Sequence, residues 1–152
     1  MSSDYEAIKT EIQGMVDRET RAWDTKDLDL LMTLWHEDMV WPWPEDAYAH
    51  DPIRWKLVQG KFDYDRWKSG WKKLFDTHQL IHNKRITQKI EVSQEGDGAF
   101  AVVDIDTLWE SRDGKQQHWH GRVCKVYTKV AKEWKIIMHT GALDYTLCKK
   151  KE

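Results

Sequence analysis

Residues 99–128 read AFAVVDIDTLWESRDGKQQHWHGRVCKVYT, and the way this stretch pairs with itself decides the fold. Two runs in which side chains alternate, Ala99 to Glu110 and His118 to Thr128, flank Arg112-Asp-Gly-Lys115, and an Asp-Gly pair is favoured in tight hairpins. On the N-terminal side, Leu80 to Val92 forms a third long run, separated from the first by the turn Gln94-Glu-Gly-Asp-Gly98. Trp134 to Tyr145 forms a fourth, after the short polar connection Val130 to Glu133. Four strands joined by short turns predict an antiparallel meander.

The first half has the helical period. Ile8, Ile12, Met15, Glu19, Ala22 and Trp23 recur at steps of three and four, which predicts a helix over Asp4 to Asp24. Asp27 caps a second helix running to His36, and Asp63 caps a third that carries Trp67, Trp71, Leu74 and Phe75. Met39-Val-Trp-Pro-Trp-Pro44 is barred from helix by its prolines and reads as an edge strand or rim. Asp46 to Lys61 has no period and contains Pro52; its length marks it as a candidate lid.

A chain of 152 residues is one domain, here 1–148, with 149–152 a disordered basic tail. The net charge of −2 gives no pull toward nucleic acid or an anionic membrane, and no apolar run of spanning length occurs, so neither partner is expected. Two cysteines, Cys124 and Cys148, do not make a disulfide framework, and the polar, acidic N-terminus lacks a signal segment; cytoplasmic residence is the expectation. Ten Trp residues supply more flat apolar surface than a core of this size ordinarily uses, and seven of them precede residue 72.

With Asp113 and Gly114 as the two loop residues, Asp104 pairs with Val123 and Val102 with Lys125. One face then carries Val102, Asp104 and Asp106 beside Trp119, Lys125 and Tyr127, joined by Gln88, Met138 and Thr140. The other carries Val103, Ile105, His118, His120, Cys124 and His139. Both faces are largely apolar while helices can cover only one, so a second copy is expected on the other, giving a homodimer through the sheet.

Two carboxylates at i and i+2 on an apolar inward face repel, which raises one pKa toward neutrality, while Lys125 keeps the other ionised. Asp106, Asp104 and Lys125 are therefore the candidate catalytic set; Trp41, Trp43, Gln88, Trp119, Tyr127, Met138 and Thr140 are the candidate pocket lining. His118 and His120 project the same way and are spaced to chelate an ion, but the register leaves them no acidic partner, so no metal site and no cofactor is assigned.

Trp41-Pro-Trp-Pro44, Glu95-Gly-Asp-Gly-Ala99, Gly121-Arg-Val-Cys-Lys-Val-Tyr127 and Trp134-Lys-Ile-Ile137, in that element order, resemble the nuclear transport factor 2-like superfamily, in its SnoaL-like, ketosteroid-isomerase-related branch. The resemblance spans about Tyr5 to Tyr145. It implies an α+β fold of cystatin-like type, in which N-terminal helices pack on a strongly curved, mixed but mostly antiparallel sheet to form a cone with an internal pocket. It also implies that Lys125, nine residues before Trp134, points into that pocket. Family members often place His four or six residues after this tryptophan, where this chain has Met138 and Thr140, with His139 between. The function expected is cofactor-independent acid–base chemistry of the isomerase, cyclase or dehydratase kind on a small apolar ligand; the alternative is a non-catalytic ligand-binding or dimerisation module.

Overall fold

The computed structural model describes residues 2–46 and 48–143. The C-terminal tail and Cys148 lie outside these residues. Helix α1 (Ser2–Asp24) turns through Lys26, at φ 53°, into α2 (Leu28–Thr33), whose cap is the Asp27 carboxylate accepting from the Leu30 N–H. The second helix is shorter than its pattern predicts, because Trp35 already enters a strand, β1 (Trp35–Val40). A two-residue ribbon follows, β2 (Pro42–Trp43) with β3 (Lys56–Leu57); α3 (Tyr64–Thr77) starts at the Asp63 cap. The meander is β4 (His78–Val92), β5 (Gly98–Ser111), β6 (Gln116–Val130) and β7 (Glu133–Leu143).

The main sheet has the order β1-β7-β6-β5-β4, antiparallel except where β1 runs parallel to β7. This is the α+β cone: three helices and the ribbon on one face of a mixed, mostly antiparallel sheet. Burial alternates strictly along β5, with Ala101, Val103, Ile105, Thr107 and Trp109 inward, and along β6, with Gly121, Val123, Lys125 and Tyr127 inward. Ile12, Met15, Ala22 and Trp23 of α1, members of the stripe that the helical period selects, cover them together with Val16. No helix among the described residues is long and apolar enough to cross a membrane.

The register differs from expectation by one residue. Asp104 pairs with Arg122, and Val102 with Cys124, because the hairpin loop has three residues, Arg112 to Gly114, closed by Ser111 N–H to Lys115 O at 2.8 Å. Gly114, at φ 84°, takes the left-handed position that three-residue loops require. The added residue reverses the phase of β5 relative to β6, so Asp104 and Asp106 stand on the outer face while Lys125 points inward. A bulge between β6 and β7, where Val126 pairs with Met138 but Tyr127 with Ile136, makes a second change. It sets both Ile136 and His139 inward and leaves Met138 and Thr140 on the outer side.

Candidate functional site

Between α1, α3, the β2–β3 ribbon and the inner sheet face lies a cavity of about 450 Å³, within the size range of small-molecule sites. Five indoles line it, Trp23, Trp41, Trp43, Trp71 and Trp119, with Lys73, Thr77, His78 and Gln117 among the polar members of the wall. Trp23 braces two of the others edge to face, with Trp71 at 5.0 Å between centroids and Trp119 at 5.5 Å. The irregular segment expected to be a lid supplies Val58 and Gln59 to the wall, and Arg66 of α3 pins it by donating to the Gln59 and Lys61 carbonyls.

Below the aromatic wall is a buried polar network. Lys125, fully buried, donates to both carboxylate oxygens of Glu19 at 2.9 and 3.1 Å. Trp23 Nε1–H donates to Glu19 at 2.9 Å, and the Arg85 guanidinium stands 3.8 Å from the same carboxylate. Arg85 is fixed by Asn83 at 2.7 Å and Thr107 at 3.1 Å. Burial alone would raise the Glu19 pKa, but the Lys125 and Arg85 charges and the hydrogen bonds outweigh it and hold the carboxyl ionised. Burial pulls Lys125 down to about 8 against the pull of Glu19 in the other direction.

His139 is 3% exposed and reaches the cavity, its ring 4.2 Å from Trp41 and stacked at 10° on Trp43. Neither ring nitrogen has a hydrogen-bond partner among the described residues. Burial first, and then the positive charges of Lys125 and Arg85, lower its pKa well below 6.5, so the ring is neutral at pH 7 with one lone pair available.

Of the residues singled out in the sequence, the structure brings Trp41, Trp43 and Trp119 to the cavity wall and Lys125 beneath it. Tyr127 is buried on the inner face, its hydroxyl unpaired among the described residues and its pKa raised well above 10.0 by burial. Asp104, Asp106, Gln88, Met138 and Thr140 do not line the cavity. Asp104 is clamped by Arg122 at 2.6 and 2.9 Å and by Gln88 at 2.8 Å; the Arg122 hydrogen bonds lead in holding its pKa low. Asp106 accepts from His118 at 2.7 Å and His82 at 2.8 Å, and although partial burial would raise its pKa these bonds hold it down to about 2. The elevated carboxyl pKa expected from mutual repulsion is thus replaced by two lowered ones.

Glu19, Arg85 and His139 are among the cavity groups that alternation did not identify, as are Lys73, His78 and Gln117. Glu19 had a signal, since it is the one charged member of the apolar stripe of α1. His139 had none, because a bulge has no fixed sequence mark.

A helical cover over a curved sheet, enclosing an aromatic cavity with a polar floor, defines the class of small cone-shaped α+β domains. The chain belongs to the SnoaL-like domain family, which matches residues 6–139. No curated protein matches it. Among solved structures it is similar to a conserved protein from Planctomyces limnophilus (13% identity, 91% of this chain and 97% of that one, TM-score 0.71). It is also similar to a ketosteroid isomerase-like protein from Erwinia carotovora (12%, 88% and 93%, 0.64) and an NTF2-like protein from Rhodospirillum rubrum (17%, 87% and 97%, 0.64). At these identities the likeness is one of fold alone: the chains share the α+β cone.

Proposed function

We propose that the protein binds a flat, largely apolar small molecule in the Trp-walled cavity and moves a proton on it without a cofactor, as an isomerase- or lyase-type enzyme. The observation that carries this reading is His139: a buried neutral imidazole, held between Trp41 and Trp43, whose nitrogens have no hydrogen-bond partner among the described residues. Both nitrogens are sealed from solvent, so the ring accepts a proton from a ligand once the Trp41 or Trp43 ring moves aside. Arg85 and Lys125 lie near enough to lower its pKa through their charges, and the same field would stabilise negative charge developing on the ligand. Glu19 is saturated by its donors and serves to hold those cations in place. Asp104 and Asp106 have no part in this proposal.

A second reading, capture without turnover, is favoured by the satisfied state of Glu19 and Lys125, which spend their chemistry on each other. Incubation with 2-tetralone in D2O, followed by NMR, separates the two. Faster deuterium incorporation with the wild type, lost in His139→Ala although the ketone still binds, supports proton transfer. Binding without exchange supports capture, and neither binding nor exchange removes both.

The proposal includes a homodimer through the apolar half of the outer sheet face, where Phe100, Val102, Val126 and Met138 remain half-buried in the single chain. Val126→Glu should convert such a dimer to monomer in sedimentation; an unchanged mass would remove that interface.

A further inference from the structure

The outer face is divided along its strands. Its apolar half holds Phe100, Val102 and Val126; the other half, toward the Arg112–Gly114 loop, holds His82, Asp106 and His118 on three neighbouring strands. His82 and His118 both stand opposite Leu108, one from each side, so each imidazole reaches diagonally to Asp106, two residues before Leu108 on the same face. A register shift between Leu80 and His82 aims His82 outward; without it Ile81 would hold that position. Both Nε2 atoms meet the same carboxylate oxygen, at 2.8 and 2.7 Å, and the three ligand atoms lie within 4.8 Å of one another. Among the described residues it is the one grouping of three or more such side chains with this spacing.

We propose that His82, Asp106 and His118 form a binding site for one divalent transition-metal ion, with Zn²⁺ its best fit. Two imidazoles and a carboxylate are the donor set that zinc takes with three protein ligands and an open position. Zinc–ligand bonds of about 2.0–2.1 Å require the donors to draw together. Side chains that are 34%, 34% and 46% exposed have the freedom to do so. Each histidine presents the Nε2 lone pair to the ion by moving its proton to Nδ1, so the two hydrogen bonds to Asp106 give way to bonds from the two Nε2 atoms and the carboxylate to the metal. The strands supply all three donors, with none from a loop, so the sheet fixes their backbone positions and only the side chains must move; the fourth position faces solvent and takes water or an anion. This site is separate from the cavity and does not rest on the proposed proton transfer.

Calorimetry of the full chain with Zn²⁺ alone, and the visible spectrum with Co²⁺, test the assignment. The expected result is one ion per chain, with cobalt bands of a low-coordinate nitrogen–oxygen site, and no comparable heat with Mg²⁺. Loss of a supporting residue around a metal lowers affinity about 10–100-fold, so removing a direct ligand in His82→Ala, His118→Ala or Asp106→Asn should weaken binding at least that much. Circular dichroism should be unchanged, since these side chains are partly exposed. Saturable zinc binding that persists in the His82→Ala, His118→Ala double variant, or wild-type binding no tighter than that variant's, overturns the site.

Discussion

Replacing Glu19 with Gln removes one charge from a network in which Lys125 and Arg85 both depend on it. Two unit charges about 3 Å apart attract by about 5 kcal/mol at an effective dielectric near 20. Broken buried pairs lose about 3–5 kcal/mol because the remaining charge is stranded. The substituted amide would keep the shape and one acceptor but would leave two cations facing each other without water. Lys125, already brought down to about 8, limits the loss by giving up its proton. The expected destabilisation for E19Q is therefore about 3 kcal/mol, at the lower end of the range for broken buried pairs. K125M should cost less, because Arg85 still faces Glu19 at 3.8 Å. Urea unfolding, followed by far-UV dichroism at fixed protein concentration, supplies a double-mutant cycle. E19Q/K125M should be more stable than the sum of its parts by more than about 0.5 kcal/mol. An E19Q protein within about 0.5 kcal/mol of wild type, or an additive cycle, would refute the ion-pair account of the cavity floor.

Lys125 also sets a pH dependence. Its pKa falls from 10.5 to about 8 on folding, so between those values the unfolded chain binds the extra proton. Its contribution to stability is full above 10.5 and declines as pH falls, being lost below about 8. Wild type minus K125M, measured by urea unfolding across this window, should rise with pH; a flat or falling difference contradicts the burial of a charged amine. A Cβ at Gly121 would sit 2.0 Å from the Ala142 carbonyl oxygen, and one at Gly141 would sit 2.5 Å from that of Arg122. Gly121→Ala should lower stability by about 1–3 kcal/mol or more, read from the urea midpoint, as overpacking in a tight interior does; an unchanged midpoint would mean that β6 and β7 lie farther apart.

Period and capping made most of the architecture readable. The α1 stripe, the Asp27 and Asp63 caps and the four long strands all follow from local rules that the tertiary structure respects. The face assignment was not readable, because it depends on counting residues across irregularities. Asp113-Gly114 is compatible with a two-residue loop, but Arg112 joins them, and that single residue carries Asp104 and Asp106 from the cavity to the outer face. The same shift gives His118 the acidic neighbour it lacked in the two-residue register. At β7 the bulge puts His139 inward in place of Met138 and Thr140, so a histidine reaches the cavity from a position between the two expected ones. Lys125 escaped both changes, lying on β6 before the bulge and counted from Trp134.

The space bounded by Trp41, Trp43, Trp71 and His139 is where a small molecule is proposed to bind. Titration of the uniformly ¹⁵N-labelled protein with 2-naphthol, a planar apolar probe with one ionisable hydroxyl, reads this out through the amide and indole N–H resonances. Saturable shifts of the Trp41, Trp43 and Trp71 indoles and of the His139 amide are expected, with the amides of Asp104 and Asp106 unmoved. Shifts confined to the outer face, or none at saturating probe, would contradict binding in that space.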